Sequence, residues 1–120
     1  MLSVAVWTLT VAVAAGTLLA LWHLRAIDGA GGPPLAAGVA HGVVGALGLA
    51  LFLLSLLGGP ARGAATGVAS FGALSAWLCG GALLTGVVMF WLKRKGPVMA
   101  IHAGVAISGY VLLLAWNALG

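Results

Sequence analysis

The chain has 120 residues, 63% of them hydrophobic and 5% charged, with a mean hydropathy of +1.25. Soluble domains carry about 25% charged residues, so these side chains cannot furnish a water-facing surface. The net charge of +4 comes from five basic residues against the single acid Asp28, all outside the apolar blocks, which argues against a nucleic-acid footprint, and the lone Cys79 excludes both an intrachain disulfide and the two-cysteine attachment of a c-type haem.

The apolar blocks have the length that a bilayer core demands, about 20 residues per helix. A first span is expected over about 2–24. It begins without the basic n-region of a cleaved signal peptide and runs on past the length of a signal's apolar core, so it reads as a retained helix. It ends at Trp22-His23-Leu24-Arg25, and a turn-rich stretch follows from Asp28 to the tandem Pro33-Pro34. Prolines suit the first turn of a helix, where no N–H is needed, and the second span covers about 35–57. After Gly58-Gly-Pro-Ala-Arg-Gly63 a third span is expected over about 65–92, ending in Trp91-Leu-Lys-Arg-Lys95. Gly96-Pro97 opens the fourth, over about 98–119. Spanning β-structure would need a closed barrel of alternating polarity, which these blocks lack. The predicted fold is therefore all-α, a single membrane domain formed by a four-transmembrane-helix bundle.

Loops one and three must share a side of the membrane. Arg25, Lys93, Arg94 and Lys95 lie on that side and Arg62 alone on the other. The positive-inside rule then puts loops 25–34 and 93–97 in the cytoplasm, with both termini outside, as expected for a bacterial inner-membrane protein.

The chain also reads as two tandem two-helix units. Aligning His41 with His102 sets Gly48 against Gly109 and Leu51 against Leu112; a proline opens both spans, and Trp22–Arg25 and Trp91–Arg94 close the spans before them. Two helices per unit preserve orientation, so the halves would be related by an axis along the membrane normal.

His41 and His102 stand out because ionisable groups in the hydrocarbon are costly and seldom idle. Each lies five to seven residues inside its predicted span, which at 1.5 Å per residue is about 8–10 Å below the same face. Two imidazoles at matched depth can approach one iron from opposite sides. Gly38, Gly45 and Gly48 share the helical face of His41, and Ala106 and Gly109 share that of His102, leaving room for a flat macrocycle. The plain alternative for the small residues is close helix packing, and for either histidine a hydrogen bond across a helix interface. His23 is an alternative ligand, a partner for a quinone or a haem propionate, or an interfacial anchor beside Arg25. Arg25 and Arg94 are placed to meet propionates, or simply to set topology. Trp7, Trp22, Trp91 and Trp116 fall near span ends, where aromatic belts form; Trp77, Cys79, Met89 and Met99 read as packing residues. Tyr110 and Ser108 can hydrogen-bond a quinone or a neighbouring helix.

His41-x6-Gly48 and His102-x6-Gly109 resemble the four-helix, bis-histidine cytochrome b architecture of membrane subunits in respiratory and photosynthetic complexes. The resemblance covers mainly the second and fourth spans. It implies haem b held by His41 and His102, electron transport without catalysis by the chain alone, and partner subunits in a redox or photosynthetic complex. Those proteins often carry a second haem at the opposite face, for which this sequence has no histidines. A cofactor-free structural subunit is the competing class. A small four-helix multidrug transporter matches in length but needs a membrane-embedded carboxylate, and no span holds Asp or Glu.

Overall fold

The computed structural model describes residues 1–26, 29, 31–58, 65–92 and 96–120. Four helices fill it: α1 (Leu2–Ala26), α2 (Leu35–Gly58), α3 (Ala69–Trp91) and α4 (Gly96–Leu119). Each is long and apolar enough to cross a membrane. At 23 to 25 residues they reach roughly 35 Å, beyond the ~30 Å hydrocarbon thickness. The chain is an integral membrane protein with four spans.

Three of the four starts fall within two residues of the expected positions. The third does not: residues 65–67 form a turn, and α3 begins at Ala69 rather than near 65. Gly67 adopts φ +74°, a left-handed conformation that a glycine takes without penalty and that cannot continue into a right-handed helix.

The closest associations are α1 with α2 and α3 with α4, with thinner seams between α2 and α3 and between α1 and α4. Among the described residues the backbones of α1 and α3 do not come close, nor do those of α2 and α4, so the helices run in order around a square and α2 meets α4 across its diagonal through side chains alone. Lipid tails are as apolar as leucine, so the helices are held by close packing and interhelical hydrogen bonds. Both are visible at equivalent places. A Cβ added to Gly48 would lie 2.8 Å from Leu9 Cγ and 3.3 Å from the Leu9 backbone nitrogen; at Gly109 it would lie 3.0 Å from Leu78 Cβ and 3.1 Å from the Cys79 nitrogen. Each glycine is where one hairpin's two backbones come together. In the second hairpin the buried Ser75 hydroxyl adds a 2.7 Å hydrogen bond to the Gly109 carbonyl.

The two-unit reading gains a geometric basis with one shift of register. Gly48 and Phe52 are buried on α2, as are Gly109 and Leu113 on α4, 61 positions later. On the odd helices the buried Ala5 and Ala12 correspond to the buried Ser75 and Ala82, 70 positions later. The match of Trp22 with Trp91 is one residue out of step with this, because those tryptophans are exposed and answer to the membrane surface while the alanines answer to the neighbouring helix.

The apolar core lies toward the chain termini: Ala5, Leu9, Phe52, Leu113 and Trp116 cluster there, with the Phe52 and Trp116 rings 5.8 Å apart. Trp116, expected in an interfacial belt, is only 3% exposed and packs in this core, while Trp77, expected to pack inside, is 80% exposed on the bundle's outer surface. Trp116 can turn inward because Gly72 on α3 has no side chain where the indole lies: a Cβ there would be 2.9 Å from it.

Replacing Gly109 by valine is expected to force the α3–α4 backbones apart and lower the protein's stability by about 1–3 kcal/mol. Gly80→Ala, where an added Cβ meets nothing within 4 Å, serves as the neutral control. Denaturation in mixed detergent micelles checks both, and equal stability of the two variants would refute the assigned contact.

Candidate functional site

The other half of the bundle, away from the apolar core, contains a cavity of about 750 Å³ to which all four helices contribute, well inside the ~300–1,000 Å³ range of ligand sites. His41 and His102 both line it. Each is six positions past the first residue of its helix, so the two imidazoles sit at one depth, about 9 Å along the helix axes. Coming from diagonal helices they meet across the bundle, ring centroids 6.1 Å apart and ring planes at 84°.

Two glycines that sequence reasoning did not single out hold the rings in place. A Cβ on Gly16 of α1 would lie 2.8 Å from His41 Cε1, and one on Gly86 of α3 would lie 3.2 Å from His102 Cε1. They stand 70 positions apart, like Ala12 and Ala82 one turn before them. Ala12-x3-Gly16 and Ala82-x3-Gly86 are thus the odd-helix partners of the two histidines. The signal was present in the sequence, but in a register that the tryptophans concealed.

The imidazoles differ in their hydrogen bonding. His102 Nδ1 lies 2.8 Å from the Ala82 carbonyl and 3.3 Å from the Thr85 hydroxyl. A carbonyl only accepts, so Nδ1 carries the proton and Nε2 is left with a free lone pair. The Thr85 hydroxyl in turn donates to the carbonyls of Gly81 and Ala82. The Ala12 carbonyl lies beside the His41 ring, but the buried Nδ1 of His41 makes no hydrogen bond. An unpartnered buried nitrogen costs about 1–3 kcal/mol.

The remaining expected site residues divide. Gly38, Gly45 and Ala106 line the cavity; an added Cβ at Gly45 would meet nothing within 4 Å and one at Gly38 only the Phe90 ring at 3.8 Å, so the space beside His41 is open. Gly48 and Gly109 instead sit at the hairpin crossings and are not part of the cavity wall. His23 lines the cavity near its loop end, together with Pro33 and Pro34. Arg25 is exposed at the end of α1, and Arg94 lies outside the described residues. Met89, Met99 and Cys79 also border the cavity, and Tyr110 closes its core end by a 2.6 Å hydrogen bond to Thr10. Among the described residues no three His, Cys, Asp or Glu side chains are grouped as a metal cage.

The class that fold and site define is a four-span membrane protein with two histidines facing each other in a one-sided cavity. Comparison with protein-family models, with curated proteins and with solved structures finds no match.

The tautomer assignment is open to direct measurement: ¹⁵N spectra of histidine-labelled protein are expected to show His102 protonated at Nδ1. Gly86→Val, which pushes the ring from its seat, is expected to move that signal, and an Nε2-protonated His102 in the wild type would contradict the hydrogen bond to Ala82.

Proposed function

We propose that the chain is a small b-type cytochrome subunit that carries electrons through one haem b held by His41 and His102. The observation that carries the reading is the separation of the two rings. Metal–imidazole bonds of about 2 Å on each side of an iron, with roughly 1.1 Å from ring nitrogen to ring centre, set centroids about 6 Å apart; the observed 6.1 Å agrees. The donor chemistry agrees as well, since the hydrogen bond from His102 Nδ1 to the Ala82 carbonyl leaves Nε2 of that ring available as a donor. The open flanks at Gly42 and Gly45 leave space for a flat ring system beside His41.

Bound there, a haem supplies one-electron transfer. The protein's part is to hold and shield it. Gly16 and Gly86 seat the imidazoles, the Ala82 carbonyl fixes the orientation of His102, and the apolar wall excludes water. His23 and Arg25, at the loop end, are the groups available to propionates, in accord with an orientation that puts this end in the cytoplasm of a bacterial cell. On this reading the chain carries electrons without catalysing a reaction alone, so other membrane subunits deliver and remove them, with a quinone as a candidate for one of those exchanges.

A second reading, a cofactor-free packing subunit, draws on Gly48 and Gly109, which serve helix contact in each hairpin. The dithionite-reduced absorption spectrum of the purified protein separates the two. Sharp α and Soret bands are expected, lost in His41→Ala and in His102→Ala and kept in His23→Ala. A featureless wild-type spectrum leaves the packing subunit; loss of the bands in His23→Ala alone would reassign the ligand pair.

A further inference from the structure

We infer that the cavity is filled sideways, from within the bilayer, through a window between α2 and α3 at the depth of the two histidines, and that its guest is a flat, lipid-soluble ring system. The identity of that guest rests on the haem reading above; the route by which it comes and goes does not follow from that reading.

The window is laid out in the sequence. Gly38, Gly42 and Gly45 stand at i, i+4 and i+7 on α2, and Leu83, Val87 and Phe90 repeat that spacing on α3, so each triplet forms one helix face. All six line the cavity. The seam between these antiparallel neighbours is closed at two places. A Cβ on Gly38 would lie 3.8 Å from the Phe90 ring, and one on Gly72 would lie 3.0 Å from a Leu56 methyl. Those two contacts fix the register, which brings Gly42 near Val87 and Gly45 opposite Leu83. At both of these intermediate levels the seam is open, since a Cβ on Gly42 or on Gly45 would meet nothing within 4 Å. His41 lies between Gly38 and Gly45 and shares their depth. Val43 and Val87 line the cavity and are also exposed on the outer surface of the bundle, so the opening reaches the lipid.

The other ways out are tied. At the loop end Pro33 and Pro34 line the cavity, and the Trp22 indole N–H holds the adjoining backbone by donating to the Gly31 carbonyl at 2.8 Å. The α1–α4 seam is bridged where Tyr110 donates to Thr10 at 2.6 Å, the Thr10 hydroxyl giving its own proton to the Val6 carbonyl. Within the hairpins, Gly48 and Gly109 keep the paired backbones together. Passage by any of these routes breaks a hydrogen bond or parts a backbone contact, and a polar group stripped of its partner in hydrocarbon is costly. The α2–α3 window opens by moving only apolar side chains, Leu83, Val87 and Phe90, over bare glycine. A lipid-soluble guest therefore passes between acyl chains and cavity without crossing water.

Haem is the probe, added to the full-length apoprotein in phosphatidylcholine vesicles, into whose bilayer it partitions. Uptake is read from the growing Soret band and release from transfer to excess apomyoglobin. Val43→Trp, which lays an indole across the window from the lipid side, is expected to slow uptake and release alike at least tenfold while leaving the haem content at saturation unchanged, as a gate does and a binding wall does not. Phe90→Ala, which unpins the closed level at Gly38, is expected to speed both several-fold. Trp22→Phe, which frees the loop end without touching the window, is expected to change neither. Wild-type rates in both Val43→Trp and Phe90→Ala, or uptake quickened by Trp22→Phe, overturn the lateral route and leave the cytochrome reading standing. A wild type that takes up no haem overturns both.

Discussion

Helices in a bilayer gain little from hiding apolar side chains from lipid, so how closely two backbones can approach decides which of them pair. In this protein that approach occurs at two places, Gly48 against Leu9 and Gly109 against Leu78 and Cys79. Both contacts lie within a hairpin and not between hairpins. The tight α1–α2 and α3–α4 pairs, the looser seams at right angles to them and the cavity between the pairs all follow from that placement. A bundle pinned equally along all four seams would have little interior to spare.

The two halves of the molecule's length have separate tasks. Toward the termini, Phe52, Leu113 and Trp116 fill the centre and join the hairpins through apolar contact. Toward loops one and three, the centre is left to His41, His102 and small residues. The side chains that meet the imidazoles come from the odd helices as absences, Gly16 and Gly86, and as backbone, the carbonyl of Ala82. A site of this kind depends on helix register more than on side-chain chemistry, because a one-residue slip of α3 would exchange Gly86 for Thr85 or Val87 beneath the His102 ring.

This explains what could be read in advance. The spans were legible because hydropathy over some 20 residues is a strong, local signal, and His41 and His102 were legible because ionisable side chains are rare in apolar blocks. Gly38, Gly45 and Ala106 followed from helical spacing relative to those histidines. The roles of Gly48 and Gly109 did not, since a glycine that opens space and one that admits a neighbouring backbone look the same in sequence; only the facing helix distinguishes them. The correspondence of Gly16 with Gly86 is hidden in sequence because Trp22 and Trp91 stand one residue out of step with it, and the place of Trp116 is not legible because an aromatic near a span's end can turn inward as readily as outward when a glycine such as Gly72 stands opposite. The start of α3 turned on a single backbone angle at Gly67, which composition does not report.

The thinness of the α2–α3 and α1–α4 seams has a thermodynamic corollary. Whatever fills the cavity touches both hairpins at once, so its binding free energy adds to the free energy that keeps them together. Occupancy and cohesion of the bundle are thereby linked: the filled protein resists dissociation of its halves more than the empty one, and the strength of that resistance grows with ligand concentration. For a chain of this size in a membrane, such linkage turns a guest molecule into a structural member.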